Sequence, residues 1–257
     1  MKRWISFFMP GGVLFFAAVL MINLNAFKPA IPVIVDIAPY VVYLSAVLIG
    51  WRFNRSSLVF AVLILAVTDR ALLLWAKEFS LMDTRGQAVF HAAAFLVPLN
   101  FLMVSLVKER GIFTVHGMIR LALLAVQPVL IAGLIRHDSL RVLHCLTFHI
   151  IPLGPVDRLA LGQPATISFL SAFIVLGARF TLDQGAKESG FFWALLTVLA
   201  AFVTASPGET SVLYFCFAGF ILLVSLLEAS HAMAFRDELT GLPARRALKE
   251  NLLKLGN

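Results

Sequence analysis

Four ionisable residues interrupt stretches that are otherwise apolar: Asp36 in "PAIPVIVDIAPYVVYL", Asp69 and Arg70 in "FAVLILAVTDRALLLW", and His91 in "GQAVFHAAAFLV". A charge held in hydrocarbon is costly, so such residues pair with one another, face a cavity, or carry function. Asp36 and Arg70 as a charged pair, joined by Asp69 and His91, would form a pocket for a small polar ligand or a proton. The other reading of the same residues is an ion pair that ties helices together, with His91 at the interface. A second set, His137, His144, Cys145 and His149, follows in "RHDSLRVLHCLTFHI". Cys145 and His149 are four apart and share a helix face, a spacing that suits a soft metal. No second fixed pair accompanies them, so interfacial loop histidines explain the set and no metal site is assigned.

The elements that must position these residues are membrane helices. Of 257 residues 60% are hydrophobic and 14% charged, with a mean hydropathy of +0.92. Soluble domains keep about a quarter of their residues charged, so that class is excluded. A bilayer core about 30 Å thick needs roughly 17–25 apolar residues per helix. Eight stretches qualify: Ile5–Leu24, Ile31–Gly50, Ser57–Trp75, Ala88–Val107, Gly117–Ile135, Thr166–Leu182, Gly190–Ala205 and Thr210–Leu227. Losing the first to signal cleavage would leave seven, but no small-residue cleavage site closes it. Arg141–Pro155 is apolar yet short and broken by proline, and reads as an interfacial or re-entrant segment. Gln127–Pro128 is expected to kink the fifth span. The chain is thus an all-α polytopic membrane protein of about eight transmembrane helices.

Orientation follows the basic residues of short loops. With the N-terminus inside, nine fall on the cytoplasmic side and seven outside; the five cations of the C-terminal tail raise the inner count to fourteen. Both termini are expected in the cytoplasm, and Asp36, Asp69, Arg70 and His91 in the outer half of the membrane. The net charge of +7 is accounted for by topology and anionic lipid, without a nucleic-acid partner. Two cysteines, Cys145 and Cys216, make no disulfide framework. No internal repeat is present. The clustered aromatics Phe191, Phe192 and Trp193 read as packing or belt residues.

Composition changes sharply at Glu228. The last span has no breaker before Phe235, so one helix is expected from Thr210 to about Leu239, long enough to cross the bilayer and project beyond it. Gly241 can adopt the positive φ that ends a helix, and Pro243 suits the first turn of another. Leu248, Leu252 and Leu255 then form one apolar stripe, opposite Arg245, Arg246 and Lys249. Alone, this is a short amphipathic helix that could also lie on the inner leaflet.

The string "RDELTGLPARRAL", Arg236–Leu248, closely resembles the opening of the GGDEF domain of diguanylate cyclases, with the pattern D-x-L-T-G-L-x-N-R-R-x-L. Asp237, Leu239, Thr240, Gly241, Leu242, Arg245, Arg246 and Leu248 match in register, and Ala244 stands where the family usually has Asn. The resemblance implies that this segment is the junction through which an upstream helix positions a catalytic domain. It also implies a homodimer that joins two GTP, with Mg²⁺, into cyclic di-GMP in a bacterial inner membrane. The family's metal-binding acids, guanine contacts and GG[DE]EF hairpin lie further along than Leu248, and none stands within these residues. The expected organisation is a transmembrane sensor bundle over 1–227, a helical signalling linker over 228–239, and the incomplete start of a GGDEF domain over 236–257, inactive alone and without a cofactor of its own. The rival is a multi-pass transporter or channel-like protein with a basic tail, for which paired broken helices and repeated halves are missing.

Overall fold

The computed structural model describes residues 7–24, 31–78, 83–107, 109, 111–148, 161–204 and 209–235. Within them the chain forms eight helices: α1 Gly11–Asn23, α2 Ile31–Arg52, α3 Ser56–Glu78, α4 Thr84–Leu106, α5 Val115–Thr147, α6 Gln163–Asp183, α7 Ala186–Thr204 and α8 Glu209–Phe235. Seven of them, α2 to α8, are long and apolar enough to cross a membrane, and no strand occurs among the described residues. The protein is an all-α polytopic membrane protein. The first expected span is shorter than its apolar run suggested. A turn at Met9–Pro10 precedes α1, whose 13 residues reach about 20 Å at the usual helical rise.

Short connections make the neighbours antiparallel. Asn54 takes a left-handed φ of 55° between α2 and α3, and the N–H of Arg55 returns to the carbonyl of Gly50 at 2.8 Å. Between α6 and α7 the left-handed residue is Gln184, whose N–H closes on the Phe180 carbonyl at 2.9 Å. Thr114 starts α5 by accepting the Gly117 N–H on its hydroxyl at 3.2 Å, which satisfies one of the donors that a helix start leaves open.

One end of the bundle gathers the α2–α3, α4–α5 and α6–α7 connections. Glu109 there accepts from Lys187 Nζ at 3.0 Å and faces Arg55 Nη1 at 3.4 Å, and Lys187 also donates to Ser57 Oγ at 3.2 Å. Arg179 joins Asp183 at 3.0 Å and donates to the Ser105 carbonyl at 3.1 Å. Phe7 belongs to the same end, its carbonyl accepting from Ser189 Oγ at 2.8 Å and Trp193 Nε1 at 2.7 Å. These are the loops that the charge count assigns to the cytoplasmic side. Replacing Glu109 by Ala removes the carboxylate shared by two loops and should lower stability by about 1 kcal/mol, the upper range for partly exposed pairs. The check is the thermal midpoint in detergent; an unchanged midpoint would mean the three connections hold their places without the carboxylate.

Inside lipid the hydrophobic effect does not drive one helix onto another; close van der Waals packing does, aided by small residues that let backbones approach. Gly50 of α2 lies against Val59 of α3, and Gly190 of α7 against Ser225 of α8, so closely that a Cβ at either glycine would collide. Phe60, Phe101, Phe191 and Phe215 fill the interior, and Trp193 packs there too, against Gly11 and Gly12 of α1. Phe191 and Trp193 are therefore packing residues rather than belt residues. Helix α8 is the hub, in contact with α1, α2, α3 and α7, while α4 joins α3 to α5 and α6.

The backbone of α5 stays helical through Pro128 and breaks at Asp138, with φ −152° and ψ 76°. This break lies about three turns beyond Gln127–Pro128 and is a separate feature from the kink expected there, which the helical backbone at the proline permits. Asp138 Oδ1 accepts the Arg141 N–H at 3.0 Å, so Asp138 caps a short second helix that runs to Thr147. The interfacial segment expected over Arg141–Pro155 begins as this helix, and the residues from His149 to Ala160 lie outside the described ones.

Candidate functional site

Asp69 and Arg70 stand past the middle of α3. Adjacent helical positions do not face one another, so their contact depends on the length of arginine. Arg70 folds back and donates from Nη2 at 2.7 Å and Nε at 3.2 Å to Asp69 Oδ2. Two tyrosines, three apart on α2, complete the group. Tyr43 donates its hydroxyl to the same Oδ2 at 3.4 Å. Tyr40 accepts from Arg70 Nη1 at 3.1 Å, with its ring centroid 4.9 Å from Arg70 Cζ. Asp69 is 1% exposed. The guanidinium lies over the Tyr40 ring, an arrangement that attracts a cation to the face of the ring.

This cluster rests on α8. A Cβ added at Gly219 would fall 2.7 Å from Tyr43 Cε1 and 3.0 Å from Cδ1, so the ring lies directly on the α8 backbone. Any rearrangement of the carboxylate that moves the Tyr43 hydroxyl also moves the ring that sets the spacing of α2 and α8. Chemically, a carboxylate, a guanidinium and two phenols can hold a proton, exchange it, or bind a small polar solute.

Of the residues singled out from sequence, the structure brings together Asp69 and Arg70. Asp36 lies one turn before Tyr40 on α2, exposed, and the hydrogen-bond partners of Arg70 are Asp69 and Tyr40. The expected Asp36–Arg70 pair is not formed, because the adjacent carboxylate already holds the guanidinium. His91 on α4 is half-buried, lies edge-on to Phe90 at 5.5 Å, and has a buried Nδ1 without a hydrogen-bond partner; it does not join the cluster. Among the described residues no three His, Cys, Asp or Glu side chains converge as a ligand set. Cys145 is exposed as a free thiol, and His149 lies outside the described residues. So do Asp237, Leu239, Thr240, Gly241, Leu242, Arg245 and Arg246, expected to form the signal-transmission junction.

Sequence reasoning missed Tyr40, Tyr43 and a pair of amides. Asn100 of α4 and Gln127 of α5 exchange two hydrogen bonds, Asn100 Nδ2 to Gln127 Oε1 at 2.7 Å and Gln127 Nε2 to Asn100 Oδ1 at 3.0 Å. The signal was present as two amides inside apolar spans, where polar side chains seek partners across helices. Compared with protein-family models, curated proteins and solved structures, the chain matches none.

Proposed function

We propose that this chain is the membrane-embedded sensory region of a diguanylate cyclase and controls cyclic di-GMP synthesis from outside the catalytic domain. The observation that carries the reading is the eight-position match within Arg236–Leu248, placed directly after α8. That helix supports it by running unbroken for 27 residues, about 40 Å at the helical rise. It leaves the bundle at the end where the basic loops gather. In this reading the protein sits in a bacterial inner membrane with both termini in the cytoplasm and works as a homodimer.

The catalytic residues, and with them Mg²⁺ and GTP, belong by resemblance to sequence beyond Leu248; no step of that chemistry uses a residue of the bundle. The bundle supplies a bias. Regulation of this kind needs two sites and an element with two arrangements. The buried Asp69–Arg70–Tyr43 group is the input, a small polar solute or proton is its ligand, and α8, on which Tyr43 lies, is the moving element.

The test joins the chain through Phe235 to an intact cyclase domain and inserts one to four residues after Ala229. Output of cyclic di-GMP should rise and fall with a period of about 3.6 residues, since each insertion rotates whatever follows by about 100°. A flat response would sink the proposal that α8 acts as a rigid lever.

A further inference from the structure

Between α3, α4 and α5 lies a cavity of about 230 Å³, open on the side of the exposed Leu121 and Ala125, whose wall is apolar apart from Thr68, Asn100 and Gln127, with no charged residue. A dry apolar cavity of about 150 Å³ is large enough to take up benzene, so this one has room for a two-ring body or a comparable length of acyl chain. The reciprocal Asn100–Gln127 bonds use one N–H of each amide, and each side-chain NH₂ carries a second. Both residues line the cavity, where a donor left without an acceptor is expensive. Pro128, also in the wall, has no N–H to return to the carbonyl of Leu124, another wall residue. Donors and an acceptor therefore meet on one side of an uncharged apolar space.

We infer that this cavity is a binding site for a neutral, mainly apolar molecule that presents a carbonyl or hydroxyl oxygen at one end, taken up from the lipid phase. The oxygen accepts from the spare amide N–H groups, and the apolar body fills the space against Ala92, Ala93 and Val97. A charged ligand is disfavoured because no counter-charge lines the wall. Two sources share this chemistry, a quinone-type ring and the ester end of a neutral acyl lipid. The inference does not depend on the proposed cyclase function.

The experiment measures the thermal midpoint of the purified full chain in detergent with menadione or with dioctanoylglycerol. A ligand that binds only the folded state raises the midpoint in proportion to occupancy. At least one probe is expected to raise it, and which one does identifies the source. Ala125 is exposed and lines the cavity, so Ala125→Phe fills the space from its rim without disturbing the core; it should abolish the shift. Replacing both amides together, Asn100→Leu with Gln127→Leu, avoids leaving a lone polar group and should weaken binding about tenfold, the worth of roughly one hydrogen bond. No shift with either probe, or a shift that survives Ala125→Phe, overturns the site; undiminished binding to the double variant overturns its polar recognition.

Discussion

Asp69→Ala is expected to destabilise the protein by about 1.5–3 kcal/mol, the range for hydrogen bonds to a charged group, since Asp69 is buried while Arg70 is partly exposed. The loss goes beyond one contact. Arg70 keeps its charge, and its remaining hydrogen-bond partner is Tyr40, while the Tyr43 hydroxyl, which donates only to Asp69, is left inside the bundle without an acceptor. Asp69→Asn keeps an acceptor oxygen and the shape of the side chain, so its cost should be clearly smaller. Thermal unfolding of the three proteins in the same detergent orders them. An Asp69→Ala variant that melts with the wild type would mean the guanidinium is balanced by something other than this carboxylate.

Gly219→Ala carries the second large effect. Its new methyl would meet the Tyr43 ring at 2.7 Å, and Tyr43 is 6% exposed, so the ring or the helix must shift inside the packed bundle. Overpacking of this kind costs about 1–3 kcal/mol, and here the strain falls on the α2–α8 contact. Tyr43→Leu on its own should also destabilise, by emptying the space beside Gly219. Combined, the two changes relieve one another, so the double variant should lose less than the sum of the singles; residues in contact depart from additivity in this way. Additive losses would mean that the ring and the α8 backbone are not coupled.

The fold was legible because lipid imposes a simple code: long apolar runs separated by polar turns must be helices, since hydrocarbon offers the backbone no other partners. Level along the bundle was legible too, as the count of residues from each helix end. What a hydropathy pattern lacks is azimuth. Asp36 and Arg70 belong to the same half of the bundle, yet Asp36 faces outwards while Arg70 turns to its own neighbour Asp69. Tyr40 and Tyr43 were invisible as site residues because an aromatic side chain in a span reads as packing, and only the helix beside it discloses what the hydroxyl meets. Glu109 was missed for a different reason: its partners, Arg55 and Lys187, are 54 and 78 positions away. The break in α5 at Asp138 was not anticipated, because no proline or glycine marks it and the side chain there caps a new helix.

In the proposed function, the buried Asp69–Arg70–Tyr43 group acts through α8 on the segment that follows it. The measurement that tests this most directly is cyclic di-GMP output from the chain joined after Phe235 to an intact cyclase domain, comparing wild type with Asp69→Asn and Tyr43→Phe. Coupling between distinct sites is typically worth about 1–3 kcal/mol, so both variants should change output by about fivefold or more while reaching the membrane at wild-type levels. Unchanged output from both, at equal membrane levels, would contradict the account and leave the cluster as a tie between α2 and α3.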